Sequence, residues 1–216
     1  MKNDSRHTNQ ASPDTLYARL FAHLYNPIMH GPEQGYLLEK RRKLLQRAKG
    51  KVLEVGAGTG INLPLYPQEA EVLAIEPSAA MLNYASKAGP FEASIRLMQA
   101  GIGDAEVAQA RPAGGYDFIV TTLVLCTIPD LEAAIRLMSS WLKPGGQLLV
   151  MEHIHDERPS ARWLQNAINP IWKRLAEGCN LNRATDRLLK EHGFRAVEEH
   201  YFTQWATFYW AVLSKP

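Results

Sequence analysis

The stretch Lys51–Pro67, KVLEVGAGTGINLPLYP, places three glycines within five residues directly after a short apolar run. Glycine permits tight backbone turns and lets a ligand approach the main chain closely. In a doubly wound α/β sheet, the turn after the first strand is where a nucleotide-containing ligand binds. The stretch therefore predicts such a sheet, with the ligand at Gly56, Gly58 and Gly60.

Two classes of ligand compete for this turn, a dinucleotide and S-adenosylmethionine. The dinucleotide fingerprint is G-x-G-x-x-G, with the pyrophosphate at the start of the following helix. Here the third glycine, Gly60, comes one position early, and Pro64 and Pro67 interrupt the segment where that helix would begin. Glu54 precedes the first glycine by two residues, where a carboxylate repels phosphate and attracts an ammonium group. These features favour S-adenosylmethionine, which has an amino group and a sulfonium and no phosphate.

Four further positions are candidates for the same ligand. Glu76 ends the second predicted strand, where a carboxylate can accept from both ribose hydroxyls. Met81 can cover one face of an adenine or pack in the core. Asp104 can accept the adenine amino group or cap a helix. The pair Thr122-Leu123 ends the fourth predicted strand, at the edge where ligands enter such sheets.

Strands and helices alternate after residue 50, which predicts a parallel sheet covered on both faces. The predicted strands are residues 52–55, 71–75, 95–98, 118–124 and 147–151, followed by an edge hairpin of residues 196–202 and 207–214. Helices are predicted from a cap at Ser12-Pro13-Asp14 to a stop before Asn26-Pro27, over residues 32–48, 78–88, 130–142 and 159–175, and up to Gly193.

The chain has 216 residues, which suits one α/β domain. We expect a flexible polar tail at residues 1–11 and a single domain at residues 12–216. Its predicted parts are N-terminal helices at 12–49, a cofactor-binding core at 50–155, a substrate lid region at 156–195 and a C-terminal hairpin at 196–216.

Composition excludes several other classes of protein. The formal net charge of +2 argues against a nucleic-acid partner, which usually needs a basic face. The basic cluster Lys40-Arg41-Arg42-Lys43 is interpreted as a solvated helix face, with contact to an anionic membrane as the alternative. No apolar run is long enough for a transmembrane helix. Two distant cysteines, Cys126 and Cys179, form no disulfide framework, which fits a reduced, cytoplasmic setting.

The motifs VLEVGAGTG, VLAIEPS, GDAE, YDFIVTTLVLCTIPD and LKPGGQLLVMEH resemble, in order and spacing, those of class I S-adenosylmethionine-dependent methyltransferases. The resemblance implies a Rossmann-like α/β sheet of seven strands in the order 3-2-1-4-5-7-6, with strand 7 antiparallel, helices on both faces and an N-terminal helical lid. The cofactor-binding residues that we expect are Tyr25, Glu54, Gly56, Ala57, Gly58, Gly60, Asn62, Glu76, Pro77, Met81, Asp104, Ala105, Thr122 and Leu123.

The segments LVLCTIPD and NPIWKRLAEGCNLNR resemble the methyltransferase-like 7 family, whose members are linked to S-methylation of small thiols. That family carries a hydrophobic N-terminal membrane anchor, whereas this chain starts with a polar tail. The resemblance implies a small-molecule acceptor, preferably a thiol. N- or C-methylation of a phospholipid headgroup or a quinone-like acceptor is the alternative, and a cofactor-binding regulator without catalysis is a third reading.

A thiol acceptor needs a pocket more than a base, because a useful thiolate fraction exists near pH 7. His153 and His155 follow the fifth predicted strand, and His153 is the candidate catalytic residue, with a structural role as the alternative. The two histidines also suggest metal ligands, but no third ligand is apparent, so no metal is expected.

The region after residue 156 is predicted to close over the acceptor. Asn180 can orient the substrate or cap its own loop. The large side chains of Trp163 and Trp172 suggest a lid that excludes water, partly buried in the core. Cys126 is expected to be an apolar wall residue.

Overall fold

The computed structural model describes residues 15–32, 36–204 and 206–215. The predicted tail at residues 1–11 and the predicted cap at Ser12-Pro13-Asp14 lie outside these ranges.

The described residues form one seven-stranded sheet in the order β3-β2-β1-β4-β5-β7-β6. The strands are β1 Gly50–Val55, β2 Ala70–Ile75, β3 Ser94–Met98, β4 Tyr116–Thr122, β5 Leu142–Ile154, β6 Arg195–Thr203 and β7 Thr207–Ser214. Strands β1 to β5 pair in parallel, and β7 runs antiparallel to both of its neighbours. The predicted sheet and its C-terminal hairpin are confirmed.

The helices are α1 Leu16–Pro32, α2 Leu38–Leu45, α3 Ala79–Ala85, α4 Ala105–Gln109, α5 Leu131–Trp141, α6 Pro159–Leu175 and α7 Thr185–Glu191. Alternate residues of the central strands belong to two separate core clusters. Leu53 lies in one cluster with Ile135 and Met138 of α5, and its neighbour Val52 lies in the other with Leu44 and Leu45 of α2. Because successive side chains of a strand point to opposite faces, this division places apolar packing on both faces of the sheet.

Two helices continue through an Asn-Pro pair. The prediction that α1 stops before Asn26-Pro27 is wrong, since the helix runs to Pro32. A proline removes one backbone hydrogen bond without forbidding the helix, and α1 keeps the packing of Ala18 and Ala22 against α3. Helix α6 contains Pro170 in the same way.

Strand β5 is longer than the predicted residues 147–151. Beyond Met151, which still faces Thr122 of β4, the strand continues beside β7, with His153 opposite Phe208. The antiparallel partner supplies the ladder bonds that β4 no longer offers. His153 therefore lies within the strand, and not after it as predicted.

The expectation that some large side chains of α6 belong to the core is wrong, because none of the residues of this helix is buried. Trp163 is 71% exposed and Leu175 is 61% exposed. The hydroxyl of Tyr17, at the start of α1, donates to the backbone oxygen of Leu175 at 2.6 Å, so the ends of α1 and α6 meet. Within the described ranges, no helix is long and apolar enough to cross a membrane.

The start of α5 gives a direct test of the local structure. Oδ1 of Asp130 accepts a hydrogen bond from the backbone N–H of Ala133 at 2.9 Å, which satisfies one of the free donors at the helix start. We expect Asp130→Ala to lower the free energy of unfolding by about 1 kcal/mol in urea denaturation. Asp130→Asn keeps an acceptor oxygen and should retain most of the stability. Equal losses in the two variants would contradict the capping role.

Candidate functional site

The glycine turn after β1 has three left-handed glycines with different surroundings. A Cβ on Gly56, at φ 73°, would lie 2.2 Å from Cγ2 of Val124. A Cβ on Gly60, at φ 85°, would lie 2.9 Å from the Cα of Ala85 in α3. A Cβ on Gly58, at φ 56°, would meet nothing within 4 Å. Gly56 and Gly60 therefore allow close packing, while Gly58 presents its backbone to open space.

Glu76 ties this turn to the start of α3. Its Oε2 accepts from the backbone N–H of Gly58 at 2.9 Å, and its Oε1 accepts from the N–H of Ser78 at 2.9 Å. The side chain is buried, and this burial raises the pKa of Glu76 against the opposing effect of both bonds. The carboxylate of Glu76 thus links the backbone of Gly58 to the residue before α3.

A buried polar network lies beside the turn and joins α2, β1 and β4. Nδ2 of Asn62 donates to Oε1 of Glu54 at 2.8 Å and to Oγ1 of Thr122 at 2.8 Å. Nη1 of Arg41 donates to Oδ1 of Asn62 at 2.8 Å and to Oγ1 of Thr122 at 2.7 Å. All four side chains are buried, so the network fixes the ends of two central strands against α2.

Glu54 keeps one oxygen unsatisfied in this network. Its Oε2 is buried without a hydrogen-bond partner among the described residues, and the hydroxyl of Tyr66 lies beside the carboxylate without a bond of standard geometry. Burial raises the pKa of Glu54 to about 7, although Asn62 and the charge of Arg41 act to lower it. A buried carboxylate oxygen without a donor is a site for a cationic or N–H-bearing ligand group.

The lid residue Tyr25 and the predicted adenine contact Met81 lie in the same apolar cluster. Met81 is buried with Ala18 and Ala22, and Tyr25 packs against this cluster from α1. The ring of Tyr25 lies 5.9 Å from that of Phe21, centroid to centroid. Helix α1 therefore covers the start of α3, where the resemblance places a lid.

The remaining predicted contacts lie at the same edge of the sheet. Oδ2 of Asp104 accepts from the backbone N–H of Gly101 at 2.7 Å, so this carboxylate shapes the turn before α4. Ala105 is the exposed first residue of α4 and Pro77 is half-buried after β2. Leu123, after β4, has a φ of 56°. A non-glycine residue in this region is strained, and such strain concentrates at functional sites.

A second cluster of reactive side chains lies at the end of β5 and beyond the end of β4. Nε2 of His153 lies 3.1 Å from Sγ of Cys179, and the two cysteine sulfurs are 3.5 Å apart. The indole of Trp172 lies beside the sulfur of Cys179 and acts to lower its pKa. The prediction of Cys126 as only an apolar wall residue missed this contact. Cys126 is buried, but its sulfur faces a second thiol.

Two side chains, those of Asn180 and Glu152, hold this cluster in place. Nδ2 of Asn180 donates to the backbone oxygens of Cys126 and Gly178, each at 2.9 Å. Oε1 of Glu152 accepts from the N–H groups of Val124 and Leu125 at 3.0 and 3.1 Å. The side chain of Asn180 therefore anchors its loop to the segment after β4, and Glu152 anchors that segment to β5.

The contacts within this cluster change the pKa values of its three side chains. The bond from Cys126, with those from His153 and Trp172, holds the pKa of Cys179 well below its ordinary value. The same pairing and burial raise the pKa of Cys126. Burial acts to lower the pKa of His153, but the bond and charge of Cys179 outweigh burial and raise it. These directions favour the anionic form of Cys179 and the cationic form of His153.

Cys126, His153 and Cys179 also form the one group of potential ligating side chains, within the part of the chain that is described, with the spacing of a metal site. Their donor atoms lie within 4.8 Å of one another. The two cysteines, not His155, are the neighbours of His153, which the sequence could not anticipate. Hydrogen bonds already link the three donor atoms, and the absence of a metal stays a prediction.

The residues around the glycine turn fit S-adenosylmethionine better than a dinucleotide. A pyrophosphate needs free backbone N–H groups at a helix start, but the N–H of Gly58 is bonded to Glu76 and only a short 3-10 turn, Leu63–Leu65, follows. The two carboxylates of Glu54 and Glu76 border the open face of the turn. They suit a ligand with an ammonium group and ribose hydroxyls, as predicted from the early third glycine.

Comparison with known proteins agrees with this geometry. Residues 29–199 match the family model described as a methyltransferase domain. Human thiol S-methyltransferase TMT1A is 28% identical over 179 residues, covering 82% of this chain and 73% of the relative. Human thiol S-methyltransferase TMT1B is 27% identical over 170 residues, covering 74% and 69%. The structure of human N-acetylserotonin methyltransferase in complex with S-adenosylmethionine matches with a TM-score of 0.63 at 17% identity, over 92% of this chain and 55% of that one.

The strand order and the family match together define a class I S-adenosylmethionine-dependent methyltransferase, with S-adenosylmethionine as its cofactor. The predicted fold and cofactor are thereby confirmed. The match spans most of the sequence, so the chain belongs to the methyltransferase-domain family. The predicted resemblance to thiol S-methyltransferases is also confirmed, at modest identity.

Sequence reasoning missed two features of the site. Arg41 was interpreted as part of a solvated helix face, but its side chain is 1% exposed and reaches the cofactor turn. Leu44 and Leu45 of α2 are buried as well, together with Leu37 just before the helix. The spacing of these leucines was the signal in the sequence that one face of α2 is buried. The contact of Cys126 with Cys179 had no local signal, because 53 residues separate them.

Two substitutions in the glycine turn distinguish its effect on stability from its effect on cofactor binding. We expect Gly60→Ala to lower the free energy of unfolding by about 3 kcal/mol, because the new Cβ meets the Cα of Ala85 and φ is unfavourable. Gly58→Ala should cost only about 1 kcal/mol of stability but weaken cofactor binding at least about tenfold, since its methyl projects into the open face. Denaturation and titration calorimetry measure the two effects. Unchanged cofactor affinity in Gly58→Ala contradicts this placement of the ligand.

Proposed function

We propose that this protein transfers a methyl group from S-adenosylmethionine to the sulfur of a small thiol. The observation that carries the proposal lies at the end of β5, which we call the acceptor end of the sheet, where the imidazole of His153 lies 3.1 Å from the sulfur of Cys179 and can favour an anionic sulfur. The similarity to relatives named thiol S-methyltransferases supports a thiol as the acceptor class.

The cofactor would be held by the glycine turn and its two flanking carboxylates. In this proposal Glu54 faces the amino group, Glu76 accepts from the ribose hydroxyls, and Met81 and Tyr25 cover the adenosine from the side of α1. When bound, S-adenosylmethionine supplies an electrophilic methyl group on its sulfonium. The protein's own contribution is to orient the acceptor and to exclude water from this edge of the sheet.

The polar groups at the acceptor end favour a thiol over an amine or a phenol. An acceptor of higher pKa requires a base that can take its proton. His153 is already engaged with Sγ of Cys179 at 3.1 Å, and Glu152 is buried with Oε1 used by two backbone N–H groups. A thiol, with an ordinary pKa of about 8.5, provides its own thiolate fraction near neutral pH. This acceptor therefore requires the least from the residues present.

His153 and Asn180 are proposed to serve the acceptor in different ways. His153 holds a proton at Nε2, and the positive charge of the protonated ring favours an anionic sulfur nearby. Asn180 is a positioning residue, because both N–H bonds of its side chain go to backbone oxygens of the two loops that carry the cysteines. Of the two roles predicted for Asn180, these bonds support the capping of its loop, and in this proposal it acts on the acceptor only indirectly.

An apolar acceptor, such as a lipid or a quinone, is the second candidate. The exposed large side chains of α1 and α6 support it. They include Leu16 at 83% exposure and Ile171 at 64%. An acceptor with a long apolar part could use this surface, whereas a small thiol would not need it.

We further propose a reducing, cytoplasmic setting and no nucleic-acid partner. Both cysteines are free thiols, which suits a compartment that keeps thiols reduced. The formal net charge of +2 is small for a chain of this length, and nucleic-acid binding usually depends on a concentrated basic face.

A labelled-methyl assay tests the acceptor class. The purified protein is incubated with S-adenosylmethionine carrying a labelled methyl group and with separate thiol, amine, phospholipid and quinone acceptors. We expect label only in the thiol products, as thioethers identified by mass spectrometry. The variant Gly58→Ala, which we expect to lose cofactor affinity, is the matched negative control. Transfer to a lipid or quinone and to no thiol would sink the thiol proposal.

The raised pKa of Glu54, about 7, predicts how cofactor binding depends on pH. The carboxylate attracts the cofactor's amino group, whereas the protonated acid does not. Affinity should therefore fall as pH falls through 7, by roughly tenfold between pH 7.5 and pH 6. Arg41, Tyr66 and Glu76 are the other titratable groups around this carboxylate.

Titration calorimetry at several pH values measures this dependence, with Glu54→Gln as the matched variant. The amide keeps the shape of the side chain and lacks the charge, so its affinity should be lower and nearly constant over this range. A wild-type affinity that does not change with pH, or a Glu54→Gln variant with the same slope, contradicts the proposed role of Glu54.

A further inference from the structure

The chain contains two cysteines, and the fold brings their sulfur atoms to 3.5 Å. A disulfide has an S–S length of about 2.0 Å, so closing the pair requires an approach of about 1.5 Å. The backbones meet at the same point, because the N–H of Asn180 donates to the carbonyl oxygen of Cys126 at 3.0 Å. The loop that carries Cys179 is therefore already docked on the segment that carries Cys126.

The two sulfurs differ in their surroundings. Cys179 is half-buried, and Cys126 is 2% exposed. Three groups that can donate a hydrogen bond lie beside the sulfur of Cys179, those of His153 at 3.1 Å, Cys126 at 3.5 Å and Trp172. Donors around a sulfur favour the thiolate, which is the form that reacts with oxidants.

This arrangement has the parts of a thiol that reacts with peroxide and a second thiol that completes the reaction. Cys179 is the less buried of the two cysteines and lies beside His153, and Cys126 supplies a second sulfur at 3.5 Å. Neither cysteine is required for the cofactor contacts around Gly58, so a reaction between the two sulfurs is compatible with a role of the cluster beside the acceptor.

We propose that Cys179 and Cys126 form a peroxide-reactive dithiol site, in which Cys179 attacks a hydroperoxide and Cys126 closes an intramolecular disulfide. In the first step the thiolate sulfur bonds to the distal oxygen, the O–O bond breaks, and hydroxide or alkoxide leaves, giving a sulfenic acid at Cys179. In the second step the sulfur of Cys126 loses its proton and attacks the Cys179 sulfur, and the sulfenic oxygen leaves as water. Two thiols are oxidised and one peroxide is reduced, and a dithiol reductant reverses the change.

The disulfide alters the acceptor end of the methyltransferase site. It removes the thiolate that faces Nε2 of His153 and joins the loop after α6 covalently to the segment after β4. The proposal concerns the chain's own cysteines and does not depend on which acceptor is methylated, so the two proposals fail separately.

Thiol counting on the full-length protein tests the proposal. The reduced protein is treated with hydrogen peroxide, quenched, denatured and titrated with a thiol reagent, and its intact mass is recorded. We expect the two thiols to disappear together, with the loss of two hydrogen atoms from a monomer, and dithiothreitol should restore both. The reaction should be at least about tenfold faster than in the same protein unfolded in denaturant, where the three donors are gone.

Single variants separate the two roles. Cys126→Ser should leave a sulfenic acid at Cys179 that a dimedone probe traps, and Cys179→Ser should give no adduct under the same exposure. Trp172→Phe removes one donor and keeps both cysteines, so the disulfide should still form, several-fold more slowly. Circular dichroism checks that each variant is folded.

Three results would overturn the proposal. Both thiols could survive an exposure that oxidises the unfolded chain. The oxidised product could be a disulfide-linked dimer, with the bond between chains. The purified protein could hold one zinc ion per chain and resist peroxide until the zinc is removed, which would make the cluster a metal site.

Discussion

The burial of Arg41 beside Glu54 is the constraint on which the cofactor edge depends. A guanidinium and a carboxylate taken out of water lose several kcal/mol of hydration each unless polar partners replace it. Asn62 and Thr122 are those partners, and they come from the glycine turn and the end of β4. The network therefore sets the positions of the turn and the strand ends by the same bonds that satisfy the buried charges. One oxygen of Glu54 has no hydrogen-bond partner among the described residues.

The ends of β4 and β5 connect the glycine turn to the cluster of Cys126, His153 and Cys179. Glu152 binds the backbone that follows β4, and β7 extends β5 far enough to bring His153 into the same region. The antiparallel pairing of β7 thus has a functional consequence, because without it β5 would lose its partner soon after Met151. The sulfur cluster therefore lies beside the ends of both strands.

Local patterns predicted the strands closely because a buried parallel strand is a short apolar run between turn residues. The glycine spacing and the two carboxylates predicted the ligand class, since the chemistry of that turn is contained in neighbouring residues. The predicted end of α1 before Asn26-Pro27 and the predicted end of β5 at residue 151 were wrong. Both depend on contacts with elements elsewhere in the chain, namely α3 and β7, which outweigh the local preference.

The sequence by itself determined the sheet, the cofactor turn and the family, because each rests on residues close together in the chain. Only the tertiary structure decided that Arg41 is buried, since the residues on either side of it, Lys40 and Arg42, are charged and its partners Asn62 and Thr122 lie 21 and 81 residues away in the sequence. The same holds for Cys126, His153 and Cys179, which lie on separate elements. Their reactivity depends on distances of 3.1 and 3.5 Å, and such distances exist only once the loops after β4 and α6 have packed together.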